Sequence, residues 1–172
     1  MSDYSIRDFI TWHEGDKLQP YQDVSGIWTI GRGHVIKDNE QWMKNGITQQ
    51  QSDDILDADL QVYYQAVDNS VNVPITESQR DSLMDFCFGN GIGAFQSSTL
   101  LKLINSGASD SDISAEFMKW DHAMVGGKLV EIPHLKEIRA CEVAMWTNSM
   151  VPAISAGVNA SAGGLAYFQK KS

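Results

Sequence analysis

Glu14, Asp23 and Thr29 are the residues of this 172-residue chain whose types and spacing could do chemistry. A carboxyl closes a short helical pattern, a second follows nine positions later among turn residues, and a hydroxyl comes six positions after that. Pro20, Ser25 and Gly26 supply the turn signals, and two short alternating runs, Ile27-Trp28-Thr29-Ile30 and His34-Val35-Ile36, follow. The pattern predicts a helix feeding a small antiparallel sheet whose first turn carries Asp23. Two carboxyls brought together by a helix end and a hairpin are what cleavage of a glycosidic bond needs. One donates a proton to the leaving oxygen, and the other activates water or stabilises the cationic sugar. The plainer alternative is a polar hairpin after a helix, with no chemistry.

The elements that must position these groups are legible on both sides of them. Ile6, Phe9, Ile10 and His13 share one helical face behind Ser5, with Asp8 three positions after it as a loose capping box, and Gly15 is a natural stop. Glu14 therefore sits at a helix C-terminus, where the dipole disfavours a negative charge, and Trp28 or Tyr21 could cover it; both suit a proton donor. Thr48-Gln-Gln-Gln51 opens a long helix running toward Asn69-Ser70, with Ile55, Leu56, Leu60, Val62, Tyr63 and Val67 as an apolar face broad enough to join two lobes. Asp53, Asp54, Asp57 and Asp59 crowd its first half; without an EF-hand's loop glycine and terminal glutamate they read as a solvated face, not a calcium site. Thr76-Glu-Ser-Gln79 caps a strongly apolar helix, and Ser109-Asp-Ser-Asp112 starts another. Gly126-Gly127 marks a turn, and Pro133 suits the first turn of a last helix.

Glu14-x8-Asp23-x5-Thr29, followed by Ile30-Gly31-Arg32-Gly33-His34, resembles the active-site segment of the phage-type lysozymes of glycoside hydrolase family 24. Phe86-Cys-Phe88-Gly89-Asn90-Gly-Ile-Gly93 with Ser98-Thr-Leu-Leu101, and Trp120 with Gly126-Gly-Lys128, Arg139 and Glu142, resemble later patterns of the same family. Three positions depart from it: Gly89 stands where the family has asparagine, Ile138 where it has arginine, and His134 where it has glycine. The resemblance implies that Glu14 is the general acid, Asp23 the second carboxylate, and Thr29 the partner that holds the attacking water. It further implies that Asp59 pairs with His34, that Lys136 or Arg139 holds Glu14 in place, and that Gly31, Arg32, Phe88 and Asn90 meet the substrate.

The fold implied is α+β and mostly helical, a two-lobe lysozyme-like domain over residues 1–148. Its N-terminal lobe, at about 12–60, carries the small sheet, and its helical C-terminal lobe takes about 1–11 and 61–148. The resemblance stops near residue 148, and the Ala, Ser, Gly and Asn-rich residues 149–172 form an extension of unassigned role. The reaction implied is hydrolysis of the β-1,4 bond between N-acetylmuramic acid and N-acetylglucosamine in peptidoglycan, with inversion and without metal or organic cofactor. One alternative is a lysozyme-like binding or scaffolding module that has lost turnover. Another is a lytic transglycosylase, which positions no water and is opposed by the pairing of Asp23 with Thr29.

Composition narrows the partners. A net charge of −9 and a pI near 4.7 argue against nucleic acid, which needs a basic face. No run of eighteen apolar residues suggests membrane insertion, and Met1-Ser-Asp-Tyr-Ser-Ile-Arg-Asp8 is unlike a secretory signal. The expected partner is the peptidoglycan glycan strand, met by a monomer that a holin or a secretion system lets into the periplasm. An immunity protein or a secretion carrier accompanies the secretion route. Cys87 and Cys141 sit in apolar helical contexts and read as buried thiols.

Overall fold

Helix starts in this chain are set by side-chain caps that the sequence displays. In the computed structural model, which describes residues 5–23 and 26–149, Thr48 accepts the Gln51 amide at 3.2 Å while the Gln51 side chain takes the Thr48 amide at 2.8 Å. Thr76 and Gln79 repeat the reciprocal pair, and Ser109 accepts the Asp112 amide. Turn residues 24 and 25 and the extension from residue 150 onward lie outside the described residues.

The elements in order are α1 (Ile6–Glu14), β1 (Lys17–Gln22), β2 (Trp28–Gly31), β3 (His34–Val35), a 3-10 segment (Asp38–Asn45) and α2 (Gln49–Ser70). Then come α3 (Glu77–Asn90), α4 (Ile92–Ser97), α5 (Thr99–Asn105), α6 (Asp110–Phe117), β4 (His122–Val125), β5 (Lys128–Glu131) and α7 (Pro133–Trp146). The described chain forms two compact units, one of Ile6–Val62 and one of Ser5 with residues 63–149. All of α1 falls in the first unit, where the sequence reading divided it at residue 11; Arg7 ties it to α2 through Asp57 at 2.6 Å.

In the first unit β1, β2 and β3 form an antiparallel sheet in chain order. Tyr21 faces Thr29 across β1–β2, Thr29 faces Val35 across β2–β3, and Ile30 faces His34. Side chains alternate along a strand, so Ile30 turns to one face and Thr29 to the other. Ile30 joins Ile36, Met43 and Ile47, with Leu18 and Ile55 packed against them, in the small core of this unit. Tyr21, Thr29 and Val35 make a row on the opposite face.

The second unit buries larger side chains. Phe86 of α3 makes edge contacts with Phe95, Phe117 and Trp120 at centroid distances of 6.3, 5.6 and 5.0 Å. Leu83, Met84, Cys87, Leu100, Ile104 and Met145 are all but fully buried beside them. Both cysteines are free thiols in this core; burial pushes the Cys87 thiol up to about 11 and raises Cys141 further. α3 runs one residue past Gly89 and stops at Gly91, whose φ of 88° no other residue adopts cheaply. The strands flanking Gly126-Gly127 were not foreseen. Met124, Val125, Leu129 and Val130 are exposed on both faces of that hairpin, so no alternating pattern marks it. Positive φ at both glycines gives the turn that matches strand twist.

The cap of α3 yields a direct test. Thr76→Ala should lower stability by about 1 kcal/mol and Thr76→Ser by much less. Thermal melts that do not separate the two variants would remove the cap from the account of where α3 begins.

Candidate active site

Glu14 ends α1 because Gly15, at φ 74°, returns its amide to the Thr11 carbonyl at 3.0 Å and turns the chain away. The Glu14 side chain is 34% exposed, and one carboxylate oxygen lies 3.2 Å from His13 Nδ1. Asp23 follows β1 at the head of the β1–β2 turn, where its carboxylate accepts the Ile27 amide at 2.9 Å. Thr29 is 4% exposed and donates its hydroxyl hydrogen to the Ile27 carbonyl at 3.1 Å. Asp23 and Thr29 are thus held on the two sides of one peptide residue. With its hydrogen spent on Ile27, the Thr29 hydroxyl keeps a lone pair for a water.

Tyr21, read from the sequence only as cover for Glu14, feels the charge of both carboxylates. Its phenol is raised above the ordinary tyrosine value, first by burial and then by the negative charges of Glu14 and Asp23. Both carboxylates therefore act on one phenol, whose cross-strand neighbour is Thr29. Lys17 Nζ caps the other side of the ring, 3.8 Å from its centroid. A lysine four positions before a tyrosine on a predicted strand was the available signal, but the bulge between Lys17 and Tyr21 that makes them meet is not visible in sequence.

Below the sheet, His34 Nδ1 lies 2.8 Å from Asp59 and Nε2 lies 3.0 Å from Glu40. The second carboxylate was not anticipated. Glu40 reaches His34 because its Oε2 also accepts the Lys37 amide at 3.0 Å, which pins it in the first turn of the 3-10 segment. Contact with Asp59 leads in raising the His34 pKa, opposed by burial and supported by Glu40. Burial pushes Glu40 up, but the Lys37 amide and His34 outweigh it and hold the carboxyl below its ordinary range.

The other residues that the resemblance names have partners of their own in the structure. Arg32 is 7% exposed, with its guanidinium on Asp16, Asp53, Thr11 and Ser52. Gly31 is buried, and a Cβ there would come within 3.2 Å of Ser52 Oγ. The acids of α2 are correspondingly more than a solvated face, since Asp53 and Asp57 pair with Arg32 and Arg7. In the second unit Asn90 donates its amide to the Phe86 carbonyl at 2.8 Å, and Phe88 stands edge-on to Tyr63 at 5.2 Å. Lys136, expected to hold Glu14, pairs with Glu131 at 3.0 Å, and Arg139 is buried with Glu142 at 3.0 Å. The described residues contain no group of three or more His, Cys, Asp or Glu side chains placed to hold a metal ion.

The family model described as phage lysozyme matches residues 11–142. The endolysin of Acyrthosiphon pisum secondary endosymbiont phage 1 is 37% identical over 137 residues, covering 80% of this chain and 91% of its own. Among solved structures, an endolysin from Escherichia coli O157:H7 phage FAHEc1 superposes with a TM-score of 0.75 at 31% identity, covering 88% of this chain and 97% of that one. The muramidase domain of SpmX from Asticaccaulis excentricus gives a TM-score of 0.72, also at 31% identity, over 82% and 92% of the two chains. A mostly helical protein with small antiparallel sheets and the fold of phage endolysins is the class these features define. The chain belongs to the phage lysozyme family.

The charges around His34 set a pH window. His34 is raised from 6.5, so its contribution to stability is complete below about 6.5 and is lost as pH rises through the folded value. Glu40 is lowered from 4.5, so its contribution is complete above about 4.5 and is lost as pH falls through its folded value. Melting temperature should therefore plateau between these limits. His34→Asn should flatten the alkaline fall, and strictly additive losses for His34→Asn and Glu40→Gln would sink the coupling.

Proposed function

We infer that this chain is a muramidase: a glycoside hydrolase that cleaves the β-1,4 bond between N-acetylmuramic acid and N-acetylglucosamine in peptidoglycan. Membership of the phage lysozyme family and likeness to endolysins and to a muramidase domain support the reaction class. The observation that supports the assignment of residues is the hold of Asp23 and Thr29 on the amide and carbonyl of Ile27, with Gly33 of the following turn lying close to Glu14 Oε2. In this reading Glu14 gives its proton to the leaving O4 of the glucosamine as the bond from C1 of the muramic acid breaks. Asp23 accepts a proton from a water that Thr29 helps to orient, and the water oxygen forms the new bond to C1. Attack by that water from the opposite face gives inversion. The relatives named endolysins favour a phage lysis enzyme over a secreted antibacterial effector.

Glu14→Gln should abolish release of muropeptides from purified peptidoglycan, a loss of about 10²–10⁴-fold or more, while leaving far-UV circular dichroism unchanged. Asp23→Asn should be nearly as damaging, and Thr29→Ala should hurt less because Asp23 alone can hold a water imperfectly. Wild-type turnover by Glu14→Gln would move the acid elsewhere. Products should carry reducing ends whose first-formed anomer, read by proton NMR, is inverted; anhydro-muramic ends would mean a transglycosylase instead.

Charge makes a separate expectation. A protein of net charge −9 approaching an anionic wall is repelled over about 8 Å at physiological salt. Three of the cations that could have formed a local attractive patch, Arg32, Lys136 and Arg139, are already paired with carboxylates. Activity on whole sacculi should accordingly rise from low to moderate ionic strength. A steady fall from the lowest salt would reveal focused attraction at the site.

A further inference from the structure

Arg32 lies between two glycines in the β2–β3 turn, and all three of its guanidinium nitrogens have partners in the interior of the first unit. Nε donates to Thr11 Oγ1 at 2.6 Å and Nη1 to Ser52 Oγ at 3.3 Å, while Nη2 meets Asp16 at 3.0 Å and Asp53 at 2.8 Å. Thr11 and Asp16 flank Glu14, three positions before it and two after. Thr11 also supplies the carbonyl that closes the last turn of α1 on Gly15. Asp16 is held from a third side, by Ser52 at 2.6 Å and Gln49 at 2.7 Å at the start of α2. The next residue after Arg32 approaches the acid itself: a Cβ on Gly33, at φ 88°, would sit 3.6 Å from Glu14 Oε2.

We propose that Arg32 is a positioning residue for the reaction, fixing the place of Glu14 by gripping the chain on both sides of it from the β2–β3 turn. The inference rests on the reading of Glu14 as proton donor. A planar fork is required because the four partners lie in different directions around one group; lysine offers the charge at a single point and cannot hold Thr11, Ser52 and the two aspartates together. The geometry also accounts for the glycines. Gly31 at φ 61° and Gly33 at φ 88° both hold backbone conformations that strain a side chain, and a Cβ on Gly31 would also crowd Ser52 Oγ at 3.2 Å.

Arg32→Lys separates this role from substrate contact and from plain stabilisation. Assayed on soluble uncrosslinked glycan strands well below its own melting temperature, the variant should lose about 10²-fold in kcat, the scale expected for an acid misplaced by an ångström. KM should stay within about twofold, because nothing that meets substrate has been removed. In a Glu14→Gln background the same change should add no further loss, since the group it positions is gone. Wild-type kcat, or a raised KM at unchanged kcat, would overturn the proposal. Should Arg32→Lys fail to fold, Thr11→Val removes one arm of the clasp and keeps every charge, and its expected signature is a smaller fall in kcat at constant KM; an unchanged kcat there overturns the proposal equally. Full activity of Glu14→Gln would instead count against the acid assignment, a distinguishable result.

Discussion

The β2–β3 turn and the start of β3 are clipped to the first half of α2 by Arg32 and His34, and the geometry of the first unit depends on those clips. Arg32 meets Asp53, and His34 meets Asp59, six positions further along the helix. A sheet whose third strand is two residues long cannot hold its place by its own hydrogen bonds. The apolar cluster that Ile30 joins is also small, with Ile36, Met43 and Ile47 buried beside it and Leu18 and Ile55 packed against them. Burying a polar or charged group is costly unless it is matched, and here Arg32 and His34 each meet two carboxylates. The result is a strongly specified position for the sheet on the helix, bought with groups that would be destabilising if either partner were lost.

Chemistry is laid on the other face of that sheet. Alternation sends Ile30 and His34 toward α2 and leaves Tyr21 and Thr29 on the opposite side, so the same strand that is anchored below presents reacting groups above. Asp23 and Thr29 are coupled through Ile27, whose amide and carbonyl each take one of them. Glu14 comes from outside the sheet. Its place depends on the end of α1, on the close passage of Gly33, and on the grip of Arg32 around Thr11 and Asp16.

The second unit is built on apolar contact around a number of buried polar and charged side chains. Arg139 and Glu142 are 2% and 0% exposed, one turn apart on α7, and the guanidinium also stands over the Phe86 ring at 5.2 Å. Gly89 packs toward this arginine, leaving 3.6 Å between Nη2 and the position a Cβ would take. Ile138, at the neighbouring departure from the family pattern, is 5% exposed and belongs to the core. Gly89 therefore lies beside the buried pair, and Ile138 immediately precedes its arginine in the chain.

What the sequence determined by itself is what short-range rules control. The capping boxes at Thr48 and Thr76, the stop at Gly15, the strand periods around Thr29 and the nine-residue spacing from Glu14 to Asp23 all act within a turn or a hairpin, so local residue types suffice to read them. Most partners of buried charge were decided only by tertiary structure. Arg32 finds Thr11 and Ser52 from 21 and 20 residues away, and Glu40 joins the His34–Asp59 pair that the family resemblance had implied. In sequence Arg32 looks like one more cation beside a substrate, and Asp53 like one more acid on a wet helix; which is exposed and which is clasped depends on how the sheet lies on α2. Lys17 meets Tyr21 because a bulge shifts the strand register, and the Gly126-Gly127 hairpin forms although its apolar residues face both ways. Those outcomes rest on contacts between segments distant in the chain, and no local pattern encodes them.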